Sequence, residues 1–70
     1  MLSKEVLLEL DRALSALPAR QRQAVTMRDV CGMSTEEVCE TLDIALANQR
    51  VLLHRARAGL RTALAGYYRG

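Results

Sequence analysis

Large aromatic side chains are almost missing from this chain, which has no Trp, no Phe and two Tyr. Packing therefore falls to Leu, Val and Ala. A single Pro and four Gly leave little room for strands or long loops. Cys31 and Cys39 lack metal-ligand spacing and have no His nearby, so they read as reduced thiols used as small hydrophobes. No apolar run approaches the roughly 20 residues of a membrane span. The start also lacks the cationic-then-apolar order of a signal peptide, which points to a cytoplasmic protein with no membrane partner. One His, no glycine-rich phosphate loop and no metal cluster leave catalysis little to stand on. Glu36 and Glu37 are neighbours, and on a helix they would point about 100° apart, a poor acid/base geometry. Neither a cofactor nor a small-molecule substrate is implied.

What the chain does have is half its 70 residues apolar, enough for one small domain with a modest core. Its net charge of +2 hides a division. Residues 1–43 carry five basic and eight acidic side chains, a net −3, whereas residues 44–70 carry five Arg and no acid, a net +5. A cationic segment of this kind suits a polyanion, because neutralising phosphates supplies most non-specific binding energy. Cations also favour helix C-termini without any partner, so the asymmetry has a structural reading as well.

The organising stretch is Ser34 to Arg57. Ser34 followed by Glu37 forms a capping box, each side chain satisfying a free backbone amide. Gly32 is placed to end the preceding helix in a left-handed conformation. Val38, Cys39 and Leu42 recur at helical spacing from Thr35 onward. Asp43, Ile44 and Ala45 are too few for anything but a sharp turn, with Ile44 plugging the gap between two crossing helices. A second, basic helix follows. Short helix, tight turn and basic helix together make the plan of a DNA-reading helix-turn-helix.

In chain order, Ser3 can cap a first helix over about residues 4–16. Its apolar stripe is Val6, Leu7, Leu10, Ala13, Leu14 and Leu17; Leu2 and Leu8 lie off it and suggest a second apolar surface. Pro18 is tolerated at a helix start, where its missing amide would have no partner anyway. The second helix, about 19–31, would turn Ala24, Val25, Met27, Val30 and Cys31 toward the core. Arg20, Gln21, Arg22 and Gln23 stay outside, as a solvated face, a phosphate contact or a partner surface. A third helix over 35–42 and a long fourth over about 46–66 complete an all-α, four-helix domain. In the fourth, Leu46, Leu53, Leu60 and Tyr67 recur every seven residues, with Ala56 and Ala63 interleaved, and form the inward face. Opposite lie Ala47, Asn48, Val51, His54, Arg55 and Ala58, with Arg50 and Arg61 on the flank. This outward face suits base reading: Arg can be bidentate to guanine, Asn to adenine, and Val51 can touch a thymine methyl. Ala45 and Ala47 leave the backbone room to approach a groove.

Leu17-Pro18 with Arg20-Gln21-Arg22, then Arg28-Asp29, Gly32-Met33-Ser34-Thr35-Glu36-Glu37 and Leu53-His54-Arg55-Ala56-Arg57, resemble region four of bacterial extracytoplasmic-function (ECF) sigma factors. The ordered series is far more specific than a bare helix-turn-helix, and the likeness covers about residues 10–64. It implies a domain that reads the upstream, minus-thirty-five promoter element, docks on the beta flap of the RNA polymerase core and, in many members, is captured by an anti-sigma factor. Carried over by position, Arg50, Val51 and Arg55 would face the major groove. Ser34 and Thr35 would stand at a helix start against a phosphate. Arg57 lies nearer the inward face, as a structural or a phosphate-contacting cation.

Departures from the family pattern sit in the last helix, where Ala47-Asn48-Gln49-Arg50-Val51-Leu52-Leu53 replaces the commoner Gly-Thr-Val-Lys-Ser-Arg-Leu. Gln49 takes an apolar position on the packed side, so it needs hydrogen-bond partners or a place at the rim. Val51 and Leu52 remove polar groups near the groove. Asp43 stands where Gly is common, a turn position Asp tolerates. Two alternatives to promoter reading stay open: a module bound mainly by an anti-sigma factor or polymerase subunit, and the helix-turn-helix output domain of another transcription regulator. With no segment able to melt DNA, the chain reads as one domain excised from a longer sigma factor.

Overall fold

The computed structural model describes the backbone of residues 3–69 and the side chains of residues 3–66. Leu2 and the side chain of Tyr67, assigned above to a second apolar surface and to the inward face, lie outside the described residues. The chain forms α1 (Lys4–Ser15), α2 (Ala19–Val25, continued by a π-helical segment Thr26–Val30), α3 (Thr35–Leu42) and α4 (Leu46–Arg69). At about 1.5 Å per residue α4 is about 36 Å long, and the molecule measures 39 × 21 × 15 Å. The last helix is the long axis, and the other three pack along it, α2 most extensively.

Local chemistry sets the boundaries. The Ser3 hydroxyl accepts from the Val6 amide at 3.2 Å and starts α1. Ser34 and Glu37 form both halves of the capping box at the start of α3: the Glu37 amide donates to Ser34 Oγ at 3.1 Å and the Ser34 amide to Glu37 Oε1 at 2.9 Å. Gly32 has φ +72°, the left-handed geometry that suits glycine at a helix end. Asp43 closes α3 with φ 54°, a conformation its short polar side chain tolerates. Between them lies the helix-turn-helix.

The core is small: Ala24 and Val25 of α2, Val38 and Leu42 of α3, and Leu53 and Ala56 of α4, with Leu14, Leu17, Met27, Ile44 and Leu60 packed partly against it. Ile44 fills the turn between α3 and α4. The α1–α2 corner closes tightly on α4, since a Cβ on Gly59 would lie 2.9 Å from Leu17 Cδ2.

Several expectations fail, each for a physical reason. Val30 is 62% exposed and Cys31 is exposed, although both belong to the expected core face of the second helix. The Cys31 amide bonds to Thr26 O at 2.9 Å, five residues back. This wider turn holds one residue more than an α-turn, so the side chains after it are rotated by about 100°, one helical step. Cys31 is thus not a core hydrophobe. Leu7 is 51% exposed, at the edge of the α1 stripe and beyond the reach of α4. Leu46 is 44% exposed: at the first position of α4 it lines a surface hollow with Thr35, Cys39, Glu40 and Ile44 and does not enter the core. Ala63 is exposed and Ala58 half-buried, the reverse of the expected pair, although Leu64 and Ala65 beyond Ala63 are still half-buried; we have no physical account of either.

Truncating Leu53 to Ala in this seam is expected to cost about 2–5 kcal/mol, the range for a buried Leu. Urea unfolding followed by far-UV circular dichroism reads the loss, and a change below about 1 kcal/mol would mean the seam does not hold the core together.

Candidate nucleic-acid interface

The outward side of α4 begins with residues too small or too polar to pack. Ala47, Asn48, Arg50, Val51, His54, Arg55 and Arg61 are all exposed. Val51, 44% exposed, puts an apolar surface among them. One straight helix presents the whole set, so their spacing is fixed without any contribution from loops.

Arginines divide into two groups. Arg12 pairs with Glu9 at 3.0 Å on α1. Arg20 donates from Nη1 to Leu42 O at 3.0 Å, placing a cation on the last carbonyls of α3 where the helix dipole favours it. Arg28 donates to Met33 O at 3.2 Å and braces the turn around Gly32. Arg57 grips Asp29 with both prongs, Nε to Oδ2 at 2.8 Å and Nη2 to Oδ1 at 2.7 Å, tying α4 to the π-helical segment. Among the described residues, Arg50, Arg55 and Arg61 on α4, together with Arg22 on α2, have neither a hydrogen-bond nor an acidic partner. Three cations on α4 are therefore left to solvent or to a ligand.

Ser34 and Thr35 stand at the start of α3, both half-buried. The capping box already uses the Ser34 and Glu37 amides, and the Thr35 carbonyl accepts from Gln49. Their remaining capacity toward an anion is the first-turn amides of Thr35 and Glu36. Glu37 is held below the ordinary carboxylate range, first by the Ser34 amide and then by its hydroxyl. That terminus thus keeps its negative charge close by.

Gln49 is buried to 1% exposure on the packed side of α4, not at the rim. Its Nε2 donates to Thr35 O at 2.9 Å and to Cys39 Sγ at 2.8 Å, which locks the start of α4 to α3. Oε1 is buried without a partner. Flipping the amide would bring two carbonyl oxygens together, so the orphan is the oxygen. Small Cys39 makes the room. Burying an unpaired carbonyl oxygen costs roughly 1–3 kcal/mol.

The sequence pattern does not reveal the Asp29–Arg57 clamp or the Arg20 and Arg28 braces, because each joins residues whose meeting depends on how the helices turn. Among the described residues, no group of His, Cys, Asp or Glu could hold a metal, and no helix is long and apolar enough to cross a membrane.

A helix-turn-helix with a cationic, solvent-facing second helix is the class this geometry defines. Residues 7–60 match the family model described as Sigma-70, region 4. The chain is 42% identical over 57 residues to an ECF RNA polymerase sigma factor, SigE, of Mycolicibacterium smegmatis, covering 81% of this chain and 22% of that protein. It is 44% identical over 55 residues to the ECF sigma factor SigF of Caulobacter vibrioides, covering 79% and 31%. To the ECF sigma-E factor of Escherichia coli it is 33% identical over 60 residues, covering 86% and 31%. The chain belongs to the Sigma-70, region 4 family. It spans less than a third of the length of these relatives, and the family is one of non-enzymatic transcription-initiation domains.

Two stability measurements probe this framework. The Arg57 hydrogen bonds and charge hold the Asp29 carboxyl below its usual range, against a smaller opposing effect of burial. A depressed folded-state value stabilises above the unfolded carboxylate pKa and stops doing so as pH falls through the folded value. Both partners are well exposed, 49% for Arg57 and 38% for Asp29, so solvent screening keeps the pair below about 1 kcal/mol. Asp29→Asn is expected to lower urea stability by that much near neutral pH and by nothing near pH 2; an equal loss at both would show packing rather than charge. Gln49→Met removes the orphaned oxygen and is expected to raise stability by up to about 1 kcal/mol, whereas a loss above about 2 kcal/mol would show that the bonds to Thr35 and Cys39 outweigh it.

Proposed function

We propose that this domain recognises promoter DNA for RNA polymerase, reading the upstream, minus-thirty-five element as one part of a longer sigma factor. What carries this reading is where the untied arginines lie: Arg12, Arg20, Arg28 and Arg57 are bound into the fold, and of the four described arginines without a hydrogen-bond or acidic partner three, Arg50, Arg55 and Arg61, share α4, the fourth being Arg22 on α2. The family and the relatives, each named as an RNA polymerase sigma factor, support it. The N-terminal half of α4 enters the major groove, with Asn48, Arg50, Val51 and Arg55 toward base edges and Ala47 allowing close approach. His54 and Arg61 lie along the phosphates. Ser34 and Thr35 bring the start of α3 toward a phosphate, with the Thr35 amide as donor, where the dipole helps and the neighbouring carboxylates oppose.

Protein docking is a second role, favoured by Leu7 and Leu8, 51% and 49% exposed on α1, and by Val30. These apolar positions lie off the arginine-bearing helix. They suit the polymerase beta flap or an anti-sigma factor, the partners implied by resemblance to ECF sigma factors.

Arg55→Ala is expected to weaken binding to a promoter duplex by about 1–3 kcal/mol and to a scrambled duplex much less, as loss of a base contact does. Arg61→Ala should weaken both alike and reduce the salt dependence by about one phosphate contact. Fluorescence anisotropy with both duplexes at two salt concentrations checks this. Equal losses on both duplexes for Arg55→Ala would remove it from base reading.

A further inference from the structure

Arg50, His54, Arg57 and Arg61 follow one another at spacings of four, three and four, so they form a single column along α4. The column starts at Arg50, on the groove-reading face, and from His54 to Arg61 runs along its edge, where the reading above, on which this inference rests, lays a phosphate strand. Three of its members are open to solvent without an acidic partner among the described residues. Arg57, the fourth, is half exposed yet held by both prongs at 2.8 and 2.7 Å.

We infer that Asp29 is a specificity-determining residue that withholds Arg57 from DNA and so restrains sequence-independent binding. Each cation that neutralises a phosphate strengthens binding to every sequence equally, while base contacts strengthen binding to only one. An added free arginine in the column would thus raise affinity for random DNA as much as for the promoter. It would enlarge the pool of competing sites without improving the reading. A carboxylate within hydrogen-bond distance cancels that cation locally, and a carboxylate far from the phosphates would not, being screened. The same bond fixes the position of Arg57, so the guanidinium cannot turn toward a phosphate without first giving up two charge-assisted hydrogen bonds.

The test compares duplex binding by the whole 70-residue chain against salt concentration for the wild type, Asp29→Asn, the double variant Asp29→Asn/Arg57→Gln, and Glu9→Gln. The last also neutralises an acid and frees an arginine, Arg12, but on exposed α1. It therefore matches Asp29→Asn in net charge and differs only in place. Freeing Arg57 should steepen the slope of log affinity against log salt by up to about 0.9 and raise affinity for a scrambled duplex severalfold near 0.1 M salt. The promoter-to-scrambled ratio should not improve. The double variant should return to the wild-type slope, and Glu9→Gln should stay on it. An unchanged or shallower slope for Asp29→Asn, with circular dichroism showing the helices intact, overturns the inference, as does a matching rise for Glu9→Gln. Should Asp29→Asn lower binding to both duplexes, with the arginine-free double variant equally weak, Asp29 would be a positioning residue for α4 and the inference would fall. If the wild type itself shows no salt-dependent duplex binding, the promoter reading fails first, a result distinct from all of these.

Discussion

The rotational setting of α4 about its own axis is the constraint on which the rest of the domain depends. One side of that helix supplies Leu53 and Ala56 to a core of few residues, while the other must stay in water with its arginines free. A rotation of one residue, about 100°, would bury cations and expose the seam. Three contacts of different kinds oppose it at successive levels. Gln49 bonds the first turns to α3, Leu53 and Ala56 pack in the middle, and the Asp29–Arg57 fork holds the level of the π-helical segment. Hydrophobic burial is stronger but tolerant of small rotations, because it has no direction. The polar contacts are weaker and directional, and they set the angle.

That division explains why a glutamine occupies a position where an apolar side chain would be more stable. Oε1 pays a desolvation penalty with nothing returned, and in a 70-residue domain 1–3 kcal/mol is a large share of the whole. Nε2 bridges one turn of α3, from the Thr35 carbonyl to the Cys39 sulfur four residues on, so it senses both the distance and the register of α3. An apolar residue there would sense distance alone. The cost and the placement come from the same amide group.

Much of this was legible in the residues. Ser3, the Ser34–Glu37 pair, Gly32 and Asp43 fix boundaries through local chemistry, and local chemistry does not depend on the rest of the fold. The inward Leu53 and Ala56 and the outward Arg50 and Arg55 follow from helical period. Val30 and Cys31 depart from the expected core face because a π-turn breaks the helical period without any Pro or Gly to announce the change. Leu46 departs for a different reason: a stripe predicts the face but not whether a neighbour covers it. Arg57 could not be decided at all, since its partner lies 28 residues away on an element whose rotation the π-turn controls. That same turn brings Asp29 to α4, so one local irregularity accounts both for the exposed Val30 and for the clamp.

Charge distribution follows from the same geometry. On the proposed promoter-reading role, a net charge of +2 is too small to draw the chain strongly to DNA from a distance, and the separation of the −3 and +5 segments would guide it instead. At physiological salt the screening length is about 8 Å, so the acids of α1 influence how the domain is oriented on approach but contribute little once α4 lies on the duplex. Acids close to α4 behave differently, because no screening layer fits between them and the arginines. Asp29 is the one such acid in direct contact with an α4 cation among the described residues. Glu36 and Glu37 at the start of α3 act in the same close range on any phosphate near Ser34. Near the interface, then, affinity for phosphate is held down at two places, and discrimination must come from the residues that meet the bases.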